Sequence, residues 1–222
     1  TWTDITAGSV SARLTPAGFI FDASGPSIFD KSNLGIEFYV GLLNSVVTNK
    51  FIELLNPTLH FQPRDANNLP VPNVSESREI NSRVISICDS AKKDWNAYER
   101  SWDFQSLPLL TASSEPTPTL ESSYTAWITQ NRDTIAEMKR LEEENNRLFI
   151  DAYGLADELT PDVPIEQITL TVNPAYRYGG KLTEEEQWTR FRQDTMEELV
   201  SYAIGCMMGR YSLDAPGLIY AH

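Results

Sequence analysis

The first thirty residues alternate apolar and polar positions between glycine and proline turns. Apolar side chains occupy every second position at Val10, Ala12, Leu14, Phe19 and Phe21. A period of two residues is typical of half-buried β-strands, and closely spaced turn residues favour antiparallel pairing. The pattern therefore predicts short antiparallel strands over residues 2–29.

A strongly apolar segment follows. Residues 34–55 are apolar on most of a helical circumference, which predicts one buried helix ended by Asn56-Pro57. Alternation returns over residues 58–62 and predicts another strand. Leu69-Pro70-Val71-Pro72 then reads as a linker that closes a β/helix unit of residues 1–72.

Beyond the linker the period becomes helical. Apolar residues recur every three or four positions over 80–102, and we expect a long amphipathic helix that begins near Ser75 or Ser77. A second helix of more than 30 residues is expected over 120–154. Its narrow apolar stripe predicts an antiparallel coiled coil, with Asn131 and Asn145 near seam positions where they fix the register.

The C-terminal part is predicted to contain one short strand, over 168–172, and a last helix. Thr183 and Glu186 have the spacing of a capping box that opens this helix. Its buried stripe is expected to include Phe191, Ala203 and Met207. The predicted fold class is α+β and predominantly helical: a small antiparallel β/helix unit of residues 1–72, then long antiparallel helices in a helical spacer or hinge domain of residues 73–222.

Composition excludes several classes of protein. The 222 residues are 41% hydrophobic, enough for a core, and 31 acidic against 18 basic residues leave a net charge of −13. A freestanding nucleic-acid binder normally presents a basic face, so this balance argues against one. Most of the acidic excess lies in residues 111–222.

The few cysteines and the lack of a long apolar run suggest a cytoplasmic location. Cys88 and Cys206 are far apart and are expected to be reduced thiols, and too few cysteines and histidines exist for a zinc site. No apolar run reaches the roughly 18 residues of a membrane span. Because the chain starts at Thr1 without Met, we expect a piece of something longer.

Candidate catalytic motifs are weak. Asn173-Pro174-Ala175-Tyr176 lies one residue from the [DN]PP[YF] signature of amino-methyltransferases, but no Gly-rich turn that holds S-adenosylmethionine precedes it, so a turn is the favoured interpretation. His60 lacks a nucleophile motif and is interpreted as part of a strand's polar face. Residues 142–144 are interpreted as a solvated acidic face, and Met207-Met208 as core packing. We assign no catalytic, cofactor-binding or metal-binding residue.

Four basic residues of the less acidic N-terminal part are candidates for contacts with DNA. They are Arg13, Lys31, Lys50 and Arg64. Arg13 on a strand and Arg64 just after one have the reach to contact a phosphate or a guanine edge. Surface solubility explains all four equally well.

Short sequence motifs in order along nearly the whole chain resemble one family. Those of the first part are Trp2-Thr3-Asp4-Ile5, Gly18-Phe19-Ile20-Phe21-Asp22, Gly25-Pro26-Ser27-Ile28-Phe29 and Leu55-Asn56-Pro57-Thr58-Leu59-His60-Phe61. Those of the second are Lys93-Asp94-Trp95-Asn96, Glu144-Asn145-Asn146-Arg147, Asn173-Pro174-Ala175-Tyr176-Arg177-Tyr178-Gly179 and Gly209-Arg210-Tyr211-Ser212. The chain resembles the region downstream of the catalytic domain in the PglX family, the adenine-specific DNA methyltransferases of BREX phage-defence systems.

The resemblance implies a role within a larger enzyme. The family transfers a methyl group from S-adenosylmethionine to adenine N6, but this chain lacks its cofactor loop and catalytic tetrapeptide. The resemblance thus implies a non-catalytic recognition and spacer segment, inactive alone, which meets DNA, the remaining methyltransferase domains and other BREX proteins through the parent enzyme. The alternative is a protein-interaction scaffold whose acidic helices dock the catalytic domain or another defence component.

Overall fold

The computed structural model describes residues 1–5, 9–22, 24–56, 58, 60–73 and 77–219, and this part of the chain is helical. Its seven α-helices are α1 Ile36–Leu43, α2 Val46–Leu55, α3 Pro63–Asn67, α4 Ser77–Asn96, α5 Leu120–Tyr153, α6 Pro174–Tyr178 and α7 Glu184–Met207. Two short 3₁₀ turns lie at Pro108–Leu110 and Ile165–Gln167. The prediction of mostly helical structure is confirmed in these ranges.

The predicted antiparallel β unit is wrong. Within the described ranges the pairing amounts to two isolated antiparallel bridges, Trp2 with Ala12 and Ile5 with His60, and no strand forms. The alternation of apolar and polar residues matches the period of a strand, but it does not provide a neighbouring strand to pair with. Residues 13–22 are exposed along their length. Parts of the predicted strands, at residues 6–8 and 59, lie outside the described residues, as does Ser75, one of the two proposed helix starts.

The strand predicted over 168–172 is also absent from the structure. The carboxylate of Asp94 accepts hydrogen bonds from the backbone amides of Thr171 at 2.7 Å and Val172 at 3.0 Å. The amide of Leu170 donates to the carbonyl of Ile168 at 2.8 Å. These three backbone amides already donate to a side chain or to a nearby carbonyl, so they cannot pair with a neighbouring strand.

The single helix predicted over 34–55 is divided in two. Ser45 caps α2 by accepting a hydrogen bond from the amide of Thr48 at 3.3 Å. Asn44 exchanges hydrogen bonds with the backbone of Ala12, at 2.9 and 3.0 Å. The helix is interrupted here because Ser45 caps the next helix and Asn44 binds a neighbouring segment.

The chain divides into two compact units. The first comprises residues 1–88 and 140–162, and the second comprises residues 89–139 and 163–222. This division differs from the predicted domains 1–72 and 73–222, because the end of α5 packs with the N-terminal residues. Both α4 and α5 contribute residues to each unit.

The core of the first unit forms where α1, α4 and the end of α5 meet. Its fully buried side chains include Phe38 of α1, Val47 of α2 and Phe149 of α5, with Ile80 and Val84 of α4 packed beside them. A smaller cluster contains Trp2, Val10, Ala12, Leu43, Phe61 and Leu69. The indole of Trp2 donates to the carbonyl of Phe61 at 2.7 Å, which joins the N-terminus to the segment before α3.

Two buried asparagines of α5 connect it to the short helices of the first unit. Asn145 donates to the carbonyl of Gly41 in α1 at 3.0 Å. Asn146 accepts from the amide of Val46, the first residue of α2, at 3.0 Å and donates to the carbonyl of Pro161 at 3.1 Å. Asn145 therefore binds a short helix rather than a second long one, and the coiled coil stays a prediction.

The second unit is built on α7. The capping box at its start is confirmed, because the Thr183 hydroxyl and the Glu186 carboxylate each accept the other's backbone amide. The helix buries Phe191, Thr195, Tyr202 and Gly205. The predicted buried stripe is wrong at its end, since Ala203 and Met207 are exposed.

Candidate nucleic-acid interface

The four basic residues proposed for DNA contact have different surroundings. Lys50 in α2 forms an ion pair with Glu53 at 2.8 Å. Lys31 precedes α1, is exposed, and has no hydrogen bond or ion pair in the described part of the chain. The guanidinium of Arg13 donates to the Ser11 hydroxyl and to the carbonyl of Ala12. Burial raises the pKa of nearby Glu142, and the charge of Arg13 offsets part of this rise.

Arg64, one of the four, lines a cleft. The cleft has a volume of about 450 Å³ and lies in the first unit between the end of α2 and α3. Its lining residues are Leu55, Asn56, Thr58, His60, Gln62, Arg64, Asp65 and Asn68. Because Arg13, Lys31 and Lys50 are not among them, the structure does not gather the four cations in one site.

Hydrogen bonds hold the floor of this cleft in place. Asn56 donates to the carbonyl of His60 at 2.6 Å and to the carboxylate of Asp65 at 2.8 Å. The same Asp65 oxygen accepts the amide of Gln62 at 2.9 Å, in a capping box that starts α3 with Pro63 as its first residue. The cleft is thus preformed by its own backbone and amide groups.

The guanidinium of Arg64 is unused in this arrangement. It is exposed and makes no hydrogen bond or ion pair with any described residue. A cation fixed on a short helix beside amide side chains suits an anionic oxygen, such as a backbone phosphate. Asn56, Gln62 and Asn68 were not among the predicted site residues, although the Gln-Pro-Arg-Asp capping signal that positions them is visible in the sequence.

His60 does not form a catalytic arrangement. Its Nδ1 atom lies 3.1 Å from a carboxylate oxygen of Asp4, and its ring is half exposed. No serine or cysteine among the described residues contacts the ring. This is consistent with the interpretation that His60 has no nucleophile to activate. Its position is an isolated bridge, however, and the strand assigned to it is wrong.

The side chain of Asn173, in the methyltransferase-like tetrapeptide, is hydrogen-bonded to the backbone. Its side chain is 1% exposed, donates to the carbonyls of Ile165 at 2.7 Å and Ile168 at 2.8 Å, and accepts the amide of Ala175. It is the N-cap of α6. All its side-chain polar atoms are used to hold the backbone, so it is not free to bind the amino group of a flipped base. The tetrapeptide begins the short helix α6 and does not form the predicted turn.

A polar cluster around Arg177 was not anticipated from the sequence. The guanidinium contacts the carboxylates of Asp194 at 3.0 Å and Glu198 at 3.2 Å, and Tyr178 donates to Asp194 at 2.7 Å. The Tyr98 ring lies 5.9 Å from the guanidinium, and burial raises the pKa of its hydroxyl. Because the Arg177 guanidinium on α6 is paired with two carboxylates on α7, this cluster joins α6 to α7.

The acidic run of α5 is not the solvated face that was predicted. Glu144 accepts hydrogen bonds from Arg83 of α4 at 3.0 Å and from Arg140. Burial raises the pKa of Glu142 to about 7, and Arg13 partly offsets this effect. In the part of the chain that the structure describes, no group of histidine, cysteine or acidic side chains is arranged to hold a metal ion.

Two remaining expectations concern sulfur and membranes. Cys88 and Cys206 are not joined to each other in a disulfide. The core role predicted for Met207 and Met208 is wrong, since both side chains are largely exposed. None of the described helices combines the length and the apolar character that a membrane crossing requires.

Comparison with known proteins relates the whole chain to adenine-specific methyltransferases. It is 36% identical over 227 aligned residues to the adenine-specific methyltransferase PglX of Lacticaseibacillus casei (strain Zhang). It is 34% identical over 224 residues to the adenine-specific methyltransferase BrxX of Escherichia coli O9:H4 (strain HS). Both alignments cover 100% of this chain, so the resemblance to PglX proteins is confirmed.

The chain spans only a small part of these relatives. It covers 17% of the PglX protein and 18% of the BrxX protein. No family model matches the chain. The similarity therefore relates this chain to one segment of each methyltransferase.

Proposed function

We propose that this chain is a non-catalytic recognition and spacer segment of an adenine-N6 DNA methyltransferase of the BREX phage-defence type. The observation that carries the proposal is the end-to-end similarity to one segment of two adenine-specific methyltransferases. The binding of S-adenosylmethionine and methyl transfer are then the work of other parts of such an enzyme. Asn173 belongs to the motif that most resembles a methyltransferase catalytic site, and its side chain instead holds two backbone carbonyls. This supports the proposal that catalysis takes place in other parts of the enzyme.

Within this role, we propose Arg64 as the residue that contacts the DNA backbone. Its guanidinium has no partner among the described residues, it is exposed, and it lines a preformed polar cleft. A single phosphate contact contributes only about five-fold to affinity at physiological salt, and the net charge of −13 opposes binding further. The contact is therefore best measured in the complete methyltransferase, where other domains supply most of the affinity.

Arg64→Ala in the complete methyltransferase is expected to raise KM for DNA about five-fold at 0.15 M salt, with kcat unchanged. Loss of one phosphate contact also reduces the slope of log affinity against log salt concentration by about one. Methyl transfer from labelled S-adenosylmethionine to duplex DNA, measured over a range of DNA and salt concentrations, gives both quantities.

The matched control for this experiment is Lys50→Ala. Lys50 has the same charge and lies in the same unit, but its ammonium group is paired with Glu53. We expect KM for DNA to change less than two-fold in this variant. Equal effects of the two substitutions would indicate a general loss of positive charge, and an unchanged KM in Arg64→Ala would refute the contact.

A protein-interaction role is the second candidate function. It is favoured by the acidic excess of residues 111–222 together with large apolar side chains exposed in the second unit, such as Trp102, Ile204 and Met207. A segment with this role binds the catalytic domain or another defence protein instead of DNA. It predicts that neither Arg64→Ala nor Lys50→Ala changes KM for DNA.

A further inference from the structure

The exposed face of α7 changes its chemistry halfway along the helix. In the first half this face carries Glu186, Arg190, Gln193 and Glu197. The following turns place Val200, Ile204 and Met207 on the same face, because residues three, four or seven apart project in similar directions. Met208, the C-cap residue four positions after Ile204, continues this face at the end of the helix. A face that contacts only water is expected to stay polar along its whole length.

These apolar side chains are not part of the core of their own unit. The opposite face of α7, with Phe191, Tyr202 and Gly205, makes the packing contacts of the second unit. Met207 is 87% exposed and Met208 is 80% exposed. Single exposed apolar residues are common in proteins, but four along one helical stripe indicate a surface for association.

The polar half of the same face borders an open groove. This groove has a volume of about 420 Å³ and is lined by Leu182, Glu185, Glu186, Thr189, Arg190 and Gln193. Glutamates outnumber the single arginine in its lining and in the adjoining turn at Glu197. A helix that lay along this face would need apolar residues at one end and basic residues at the other.

The size of the relatives suggests what covers this face. The chain spans 17% and 18% of the two methyltransferases, so more than four-fifths of a protein of their length lies outside this structure. A segment of a larger protein exposes the apolar surface that its neighbours bury. Methionines suit such a surface, because their flexible thioether chains adapt to the partner's shape.

We propose that an amphipathic helix from another part of the same methyltransferase chain packs on this face of α7, with its apolar residues against Val200, Ile204, Met207 and Met208. Its basic residues then face the groove at the start of α7. This inference rests on the proposed function, namely that the chain is a segment of a longer methyltransferase. It adds the surface by which the segment is held within the enzyme.

Methionine oxidation by hydrogen peroxide, followed by peptide mass spectrometry, tests the proposal. The rates are compared between the 222-residue chain and the complete methyltransferase. Met207 and Met208 should react quickly in the isolated chain and at least about ten-fold more slowly in the complete enzyme. Met138, which is 3% exposed, is the internal reference and should react slowly in both.

A pair of variants shows whether the apolar face causes the protection. In the complete enzyme, Ile204→Asp should restore fast oxidation of Met207 and Met208, because it places a charge within the apolar stripe. Ala136→Asp is the matched control: Ala136 is also exposed and lies in the same unit, but it is on α5 and not on the stripe, so protection should persist. In the isolated chain both variants should keep the melting temperature of the parent.

Two outcomes contradict the proposal, and the KM for DNA of Arg64→Ala separates its failure from that of the proposed function. Equal oxidation rates in the isolated chain and the complete enzyme would show that the face stays exposed. Protection that appears in the isolated chain as its concentration rises would identify a second copy as the occupant. If the face is unprotected while Arg64→Ala still raises KM for DNA, the docking surface is wrong and the proposed function stands. If the face is protected while Arg64→Ala changes nothing, the reverse holds.

Discussion

Phe149→Ala is expected to lower the free energy of unfolding of the first unit by about 3–5 kcal/mol, the typical cost of truncating a buried phenylalanine. Phe149 is 0% exposed and lies at the junction of three helices. Its ring meets that of Phe38 with centroids 5.5 Å apart, so the truncation removes an aromatic contact and leaves a cavity. Urea titration of the 222-residue chain, with hydrogen exchange of the α1 and α4 amides as a local readout, measures the loss.

Phe19→Ala is the matched control for this truncation. Phe19 lies in the same unit but is 67% exposed, and its loss should change the free energy of unfolding by less than about 0.5 kcal/mol. If Phe149→Ala destabilised the first unit no more than Phe19→Ala, the end of α5 would not belong to the core of that unit.

Gly41→Ala is expected to destabilise the first unit by about 1–3 kcal/mol, although glycine to alanine within a helix ordinarily stabilises by up to about 1 kcal/mol. A Cβ atom at Gly41 would lie 2.8 Å from Cγ2 of Val84 and 2.9 Å from Oδ1 of Asn145. Both neighbours are buried and cannot move without displacing α4 or α5. The hydrogen bond from Asn145 to the Gly41 carbonyl keeps the helices at this close separation.

Gly25→Ala controls for the change of residue type. A Cβ atom at Gly25 would meet nothing within 4 Å, and the backbone there is not in the left-handed region. Its free energy of unfolding should stay within about 0.5 kcal/mol of the parent, or rise slightly. Thermal denaturation of both variants gives the sign of each change directly. A Gly41→Ala variant that was more stable than the parent would contradict the contact between α1 and α5.

Features specified by local sequence were predictable. The capping box at Thr183 and Glu186 starts α7 as expected, since both partners lie within one turn of the chain. The apolar period of α5 likewise indicated a helix over 120–154, and the helix spans Leu120–Tyr153. In contrast, the break between α1 and α2 was missed, because the apolar period continues through the Asn44-Ser45 pair that caps α2 and binds Ala12.

Features that depend on distant partners were not predictable. The alternation over residues 2–29 describes which side chains are apolar, but it does not show whether another strand lies alongside. Asn145 was recognised as a polar residue near the seam of an apolar stripe, yet its partner in α1 is about a hundred residues away. Asn146 was not singled out, and its partner in α2 is equally distant. The sequence likewise identified Arg64 and Lys50 as equal candidates. Only the fold shows that Lys50 is paired with Glu53 and that Arg64 has no partner in the described part of the chain.

Residues in several of the motifs that resemble the PglX family form hydrogen bonds and ion pairs that stabilise this chain. Asp94 binds the amides of Thr171 and Val172, and Asn173 holds two carbonyls near α6. Arg177 and Tyr178 join α6 to α7 through Asp194. At these positions the residues that resemble the family therefore hold backbone segments and join helices of the second unit.

The most direct test of the central claim, that this segment is non-catalytic, is isothermal titration of the 222-residue chain with S-adenosylmethionine. The account predicts no saturable heat at ligand concentrations up to about 1 mM, where a site of even millimolar affinity would be half occupied. The complete methyltransferase, titrated under the same conditions, is the positive control. Saturable binding of micromolar affinity by the 222-residue chain would contradict the account.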